Sequence, residues 1–464
     1  MIDLKTKPTT LKNLRVTVLG AKRSGIGAAI LAARCGATVL LSDAATVEIN
    51  SQYITELQQN NIQIETSGHT DRVFDSDLIV LSPGIPNDAP IVEAISRRNI
   101  PIVAEVEMAY WFCPTNEIIA VTGSNGKTTT TTLLFEIFKG SSYEPFCGGN
   151  IGTAFSNLIV DSERSSHPHK IFILELSSFQ LERIVHFHPK ISIILNITPD
   201  HMDRYEHSMA FYLAAKLRIT LNQTQTDYYI YNDDNALLVA NLPTRCNLIP
   251  AGLYSESDKI ITADASKIFF TDSKQYIERD RLALLGEHNL YNLIAALSAA
   301  RLCNISIDHL QTALYNFKSI EHRLEFVTTI DGVDYYNDSK ATNVDSVNYA
   351  LKSFTRPVIV ILGGKDKDSD FTLLIPPIRA HVKAVILIGK AAEKIRRMLE
   401  GIVPLHEAGY SMPAAIKIAR DLAEPGDVIL LSPACASFDM FNDYEQRGRV
   451  FKEIVMTMQK DQQS

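Results

Sequence analysis

The stretch Ile118-Ile119-Ala120-Val121-Thr122-Gly123-Ser124-Asn125-Gly126-Lys127-Thr128-Thr129 decides the fold. A β-branched run ends in a glycine turn, and the turn opens on a stretch of helical length. Strand, glycine loop and helix in that order form a phosphate cradle. Backbone amides of the loop reach an anion, Lys127 neutralises β/γ charge, and the Thr128 hydroxyl can ligate Mg²⁺. The loop is tighter than G-x-x-x-x-G-K-[ST], because position 121 is Val rather than Gly. The strand context and the Gly-Lys-Thr run favour ATP over a purely structural loop.

Outward from this loop, short apolar β-branched runs alternate with longer helical stretches. Strands are predicted at Val16–Leu19, Thr38–Leu41, Leu78–Leu81, Ile118–Val121, Ile171–Leu174, Ile191–Leu195, Tyr228–Tyr231, Val358–Leu362, Val385–Ile388 and Val428–Leu431. Runs this apolar read as parallel strands covered on both faces, and their ligands belong beyond the carboxyl ends of the strands. The expectation is an α/β chain of three domains, each on a mainly parallel sheet: Rossmann-like at 1–105, a P-loop domain at 106–319, and Rossmann-like again at 320–464. The length of 464 residues agrees, at roughly 150 residues per domain.

Composition narrows the class. Lys and Arg number 45 against 53 Asp and Glu, a net charge of −8, which argues against a surface built to coat nucleic acid or anionic lipid. Apolar runs such as Val428–Leu431 fall far short of the roughly 18 residues of a membrane span. The first 16 residues carry no apolar core, so no secretory signal is read there. The six cysteines are scattered without a CxxC pair, which suggests reduced thiols and a cytoplasmic protein.

A second glycine loop, Gly20-Ala21-Lys22-Arg23-Ser24-Gly25-Ile26-Gly27, follows Val16–Leu19, and the next strand ends in Ser42-Asp43. This is nearly a dinucleotide fingerprint, but Ala21 and Lys22 stand where the second glycine belongs. A phosphate-bearing ligand and a plain βα turn both remain open. Glu175 ends the strand Ile171–Leu174, where a carboxylate facing Mg²⁺ belongs, and Asp200-His201-Met202-Asp203-Arg204 follows Ile191–Leu195 in the same way. Lys216, in Phe211-Tyr212-Leu213-Ala214-Ala215-Lys216-Leu217, reads by composition as an ordinary helical lysine.

The loop Thr122–Thr128 resembles the short P-loop of the Mur ligases and the related folylpolyglutamate synthases. Four further blocks match in order: Glu175–Leu181, Asp200–Asp203, Gly286-Glu287-His288-Asn289 with Asn292, and Glu321-His322-Arg323. Asn337-Asp338-Ser339-Lys340-Ala341-Thr342-Asn343 resembles the D-glutamate-adding branch of that family. Gly363–Phe371, Ser432–Asp439 and Glu445-Gln446-Arg447-Gly448 agree with that branch.

The resemblance implies an ATP-dependent amide ligase of peptidoglycan precursor synthesis, a cytoplasmic monomer that adds D-glutamate to UDP-N-acetylmuramoyl-L-alanine through an acyl phosphate. It implies UDP-substrate contacts at Arg23, Ser24, Asp43, Gly84 and Asn150, with Arg23 standing where an apolar residue is common. It implies MgATP at Gly123, Ser124, Asn125, Gly126, Lys127, Thr128 and Thr129, with Asn289 and Asn292 near adenine and Arg323 and Asp338 closing over the nucleotide. Lys216 is implied to be carbamylated by CO₂, and two Mg²⁺ ions are implied to be held by Thr128, Glu175, His201 and that carbamate. D-glutamate is implied to meet Lys340, Thr342, Lys367, Ser437, Phe438 and Tyr444. Cys435 reads as a small packed residue, since no His/Asn pairing accompanies it. A folylpolyglutamate synthase-like ligase is the alternative, against which stands the long segment before the P-loop. An NAD-dependent oxidoreductase leaves the P-loop unexplained.

Overall fold

The computed structural model describes residues 2–255, 257–284, 286–318 and 321–463. The boundary expected near Ser319 lies outside the described residues. The chain forms two compact units, one of residues 1–197, 210–282 and 289–317, the other of 198–209, 283–288 and 318–464.

The first unit opens with β1 (Arg15–Leu19), β2 (Thr38–Ser42), β3 (Gln63–Glu65), β4 (Leu78–Leu81) and β5 (Ile102–Ala104), all parallel in the order β3-β2-β1-β4-β5. A second sheet holds β6 (Ile118–Thr122), β7 (Glu144–Gly149), β8 (Lys170–Glu175), β9 (Ile191–Ile194), β10 (Tyr228–Tyr231) and β11 (Asn247–Pro250). It is parallel throughout, in the order β11-β10-β9-β6-β8-β7. β6 is buried along its whole length, which explains its unbroken apolar run. A small antiparallel sheet of β12 (Ile261–Ala263), β13 (Lys267–Phe270) and β14 (Tyr276–Glu278) adds to this unit, and the apolar-run criterion missed it. Its strands are three or four residues long and alternate in burial, so they carry no continuous run.

The second unit is built on β15 (Glu325–Ile330), β16 (Val333–Asn337), β17 (Val358–Gly363), β18 (Val382–Ile388), β19 (Leu405–Glu407) and β20 (Val428–Leu431). The order is β15-β16-β20-β17-β18-β19, and only the edge strand β15 is antiparallel. Core side chains cover both faces: Val358, Val360 and Leu362 point to one, Ile359 and Ile361 to the other. Alternate residues of a fully buried strand supply two cores, which is why the run reads as continuously apolar. All ten strands predicted from the apolar runs are present and parallel to their neighbours, within a few residues of the expected ends. Among the described residues, no helix is long and apolar enough to cross a membrane.

Asn150 follows β7, and Lys216, Asn289, Asn292 and Tyr444 lie on helices. In each large sheet most other residues singled out by sequence follow three adjacent strands. They are the ends of β2, β1 and β4 in the first sheet, β8, β6 and β9 in the second, and β16, β20 and β17 in the third. That is the expected place for ligands of a doubly wound sheet.

Candidate active site

Gly123 (φ +147°) and Gly126 (φ +85°) shape the loop after β6 in backbone conformations that side chains resist. A Cβ on Gly126 would collide with the Asn292 amide oxygen, and one on Gly123 would press on Leu195 Cβ at 3.2 Å. The helix Lys127–Phe138 starts at Gly126 with no side-chain cap, a terminus suited to an anion. Asn196, just past β9, holds the loop from outside. Its Oδ1 accepts from the Asn125 amide at 2.8 Å, and its carbonyl accepts from Ser124 N at 3.0 Å. Ser124 Oγ lies 3.2 Å from Tyr212 OH. Neither Asn196 nor Tyr212 was singled out by sequence, and no local motif marks them.

Lys127 folds back over the loop, with Nζ 2.8 Å from both the Gly123 and the Ser124 carbonyl oxygens. Thr128 Oγ1 donates to Glu175 Oε2 at 2.6 Å, and Asn150 Nδ2 donates to Glu175 Oε1 at 2.9 Å. Glu175 is buried at the last position of β8. A buried hydroxyl and carboxylate side by side, next to a phosphate-type loop, are hard oxygen donors that fit Mg²⁺. Thr129, one position on, has a buried hydroxyl with no hydrogen-bond partner.

Lys216 is only 1% exposed, contrary to its bland reading from composition. Its Nζ donates to the Gly123 carbonyl at 2.9 Å, lies 3.4 Å from Thr122 Oγ1, and sits 4.7 Å from the Tyr212 ring centre. The helix Met209–Leu217 aims this amine into the loop, whereas its sequence alone shows a lysine among apolar residues. Asn289 and Asn292 are buried one helical turn apart, with Asn292 Nδ2 3.2 Å from Asn289 Oδ1. His201 belongs to the other compact unit, with a left-handed backbone (φ +55°).

In the first sheet, Gly20 (φ +95°) begins the loop before Arg23 and Ser24, and Ser82 packs against it. The Asp43 carboxylate braces the loop: Oδ2 accepts from Ala21 N at 2.7 Å and Oδ1 from Ala45 N at 2.9 Å. Arg23 and Gly84 are exposed and Ser24 is half-buried.

The third sheet gathers the remaining residues. Lys340 and Thr342 follow β16, Lys367 follows β17, and Ser437 and Phe438 follow β20. Lys340 Nζ lies 3.1 Å from Tyr444 OH. Phe438 is 67% exposed while Ser437 is buried. Beneath them sits Arg447, 1% exposed, donating from Nε to Ser339 Oγ (2.9 Å), from Nη2 to the Ser339 carbonyl (2.7 Å) and from Nη1 to the Cys435 carbonyl (3.1 Å). Burial pushes its pKa down to about 10. The Cys435 thiol is pushed up by burial, the setting of a packed residue. Asp338 accepts from Ser432 Oγ at 2.7 Å and Leu324 N at 3.2 Å, and burial raises its carboxyl to about 6. Glu321, His322 and Glu325 also cluster, but Lys452 Nζ already pairs with the two carboxylates at 2.9 and 2.5 Å.

Comparison with known proteins bears on this geometry. The Mur ligase middle domain matches residues 121–300, the Mur ligase glutamate ligase domain residues 322–435, and the MurD N-terminal domain residues 28–91. The UDP-N-acetylmuramoylalanine–D-glutamate ligase of Salinibacter ruber is 40% identical over 464 residues, covering 97% of this chain and 99% of that protein. This chain belongs to the Mur ligase family. The ligase of the same name from Acidobacterium capsulatum is 42% identical over 456 residues, 96% of this chain and 97% of its own. Among solved Mur ligases, the UDP-N-acetylmuramate–alanine ligase of Thermotoga maritima covers 96% of this chain and 100% of its own, with a TM-score of 0.60 at 18% identity. That likeness speaks for the α/β fold with its three large sheets.

Proposed function

We propose that this chain is an ATP-dependent ligase that joins D-glutamate to UDP-N-acetylmuramoyl-L-alanine in peptidoglycan precursor synthesis, with release of ADP and phosphate. The observation that carries the chemistry is the Thr128–Glu175 pair at the uncapped start of the P-loop helix. The D-glutamate ligases that align over nearly the whole chain supply the substrate class. The folylpolyglutamate synthase-like alternative has no use for a MurD-type N-terminal domain at residues 28–91.

On this reading residues 1–105 take UDP, 106–319 take ATP, and 320–464 take the amino acid. The loop after β1 with Arg23 and Ser24, together with Asp43, Gly84 and Asn150, receives the nucleotide-sugar. The amides of Gly123–Thr129 and the Lys127 ammonium receive the triphosphate, and Asn289 and Asn292 take the adenine end. Arg323 and Asp338 complete the nucleotide contacts. Thr128, Glu175, His201 and a carbamate on Lys216 are the groups to hold two Mg²⁺ ions. When bound, Mg²⁺ offsets the charge that builds as a carboxylate approaches polyphosphate.

The L-alanyl carboxylate attacks the γ-phosphorus, and the bond to the bridging oxygen of ADP breaks. Lys127 holds charge on the transferring group, as in other phosphoryl transfers. The neutral amine of D-glutamate, which Lys340, Thr342, Lys367, Ser437, Phe438 and Tyr444 orient through its carboxylates, then attacks the acyl carbon. The bond to phosphate breaks, phosphate leaves, and the nitrogen gives up a proton to leave the amide. Several donors and cations compensate the desolvation of two carboxylates. The enzyme acts as a cytoplasmic monomer without nucleic-acid or membrane partners. Phosphate release from ATP, measured with UDP-N-acetylmuramoyl-L-alanine and a panel of L- and D-amino acids, tests the reading. Release is expected with D-glutamate alone, and dependence on an L-amino acid or on none overturns it.

A further inference from the structure

The segment Thr198–Met209 belongs to the second compact unit, and one of its carboxylates is committed to a residue assigned to D-glutamate. Asp200 Oδ1 lies 3.3 Å from Lys367 Nζ, and Asn343 Nδ2 lies 3.4 Å from Asp200 Oδ2. Both side chains are largely withdrawn from water, Asp200 at 8% and Lys367 at 19% exposure. The His201 amide donates to the same Asp200 Oδ1 at 3.0 Å, and His201 adopts a left-handed backbone at φ +55°. A non-glycine residue in that region persists only where its surroundings hold it, so the direction of the Asp200 carboxylate is built in.

A free amino acid arrives as a zwitterion. Cations alone match its carboxylates and leave its ammonium desolvated without a partner, a costly arrangement in a closed site. An ion pair at 3.3 Å offers both complementary charges at a spacing an α-amino acid can bridge. Opening that pair onto a zwitterion exchanges one internal ion pair for two to the substrate, so neither protein charge is left buried and unpaired.

We propose that Asp200 is a specificity-determining residue that receives the α-ammonium group of D-glutamate while Lys367 takes a carboxylate, the internal Asp200–Lys367 pair opening to admit them. The inference rests on the reading of Lys367 as an amino-acid-binding residue. It assigns Asp200 the task of choosing amino acids over plain dicarboxylates and of setting the nitrogen before it attacks.

The test uses glutarate, which keeps both carboxylates of glutamate and lacks the amine. In the wild-type enzyme glutarate is expected to compete with D-glutamate, with an inhibition constant at least tenfold above the D-glutamate Kd. Equal affinities overturn the proposal without recourse to any variant. Asp200→Asn is expected to raise KM for D-glutamate at least tenfold, with KM for ATP and for the nucleotide-sugar within twofold and glutarate inhibition unchanged or tighter. An unchanged KM for D-glutamate, or an equal weakening of D-glutamate and glutarate, overturns the proposal. Failure of wild-type enzyme to turn over with D-glutamate removes the underlying reading instead, so the two failures are distinguishable.

Discussion

The side-chain nitrogens of Lys127 and Lys216 donate to one and the same oxygen, the Gly123 carbonyl, at 2.8 and 2.9 Å. Two ammonium groups on one acceptor repel by roughly a few kcal/mol at an effective dielectric constant of about 20. Lys216 is buried, so water does little to screen this repulsion. On the proposed reading, the Lys216 ammonium gives up its proton and the amine adds to CO₂ with loss of a second proton, so that a carbamate replaces repulsion with attraction and adds oxygen donors. Lys216→Ala is therefore expected to lose more than 99% of activity, with partial recovery on adding a small carboxylate such as formate. A carbamate resonance in ¹³C-bicarbonate NMR should be present in the wild type and absent from the variant. Full activity of Lys216→Ala refutes the carbamate.

Thr128 and Glu175 form the second contact of the proposed site, at 2.6 Å. Glu175→Gln keeps the shape and the acceptor oxygen but removes the charge that a divalent cation needs. We expect the Mg²⁺ concentration for half-maximal activity to rise at least tenfold, and kcat to fall at least a hundredfold at saturating Mg²⁺. A titration of activity against Mg²⁺ at fixed ATP checks both, and an unchanged Mg²⁺ requirement removes Glu175 from the metal set.

Gly126 tests the loop itself. At φ +85°, with the Asn292 amide oxygen where a Cβ would stand, Gly126→Ala must shift the loop or the helix behind it. The strain is of order 1–3 kcal/mol. We expect a rise of at least tenfold in KM for ATP and a loss of about 1–3 kcal/mol in urea unfolding. Gly84→Ala, where no atom lies within 4 Å of the added Cβ, is the control that leaves stability unchanged.

Asp338 gives a pH signature. Burial raises its folded-state carboxyl to about 6, against the hydrogen bonds from Ser432 and Leu324 and the charges of Arg323 and Arg447. A folded pKa above the unfolded value of about 3.9 means that the folded state holds the proton more tightly. That contribution is complete below pH 4 and lost as pH rises through 6. Asp338→Asn carries no such loss. Its stability relative to wild type should therefore rise between pH 4 and 7, by up to about 3 kcal/mol, in urea unfolding at both pH values. A flat difference across that range rejects the shift.

The ten apolar runs were legible because parallel strands buried on both faces leave an unbroken signal, as in β6 and β17. β15 escaped because its edge position exposes every other residue or so, including Phe326 at 51%. The Gly-Lys-Thr loop was legible because its chemistry is local. Lys216 was not, because its role depends on a helix aiming it at a loop some ninety residues earlier. Asn196, Tyr212 and Ser82 were invisible for the same reason: each acts on a loop distant in sequence, and each residue type is common on any surface.

Arg447 shows how far such a distant role can reach. Its guanidinium bonds Ser339 and Cys435, on the loops after β16 and β20, and a Cβ on Gly364, after β17, would lie 3.3 Å from its Nη1. The three loops bear Lys340, Ser437 and Lys367, so one planar fork fixes their spacing. Arg447→Lys keeps a charge but cannot make three bonds in that plane. Breaking a buried hydrogen-bonded charge costs about 3–5 kcal/mol. We expect Arg447→Lys to lower the urea-unfolding free energy by a similar amount and to raise KM for D-glutamate at least tenfold. KM for ATP should stay within twofold, because the three bonds of this guanidinium go to Ser339 and Cys435, on loops assigned to the amino acid. A variant that loses stability with every KM unchanged leaves Arg447 as packing alone and separates the amino-acid site from these three loops.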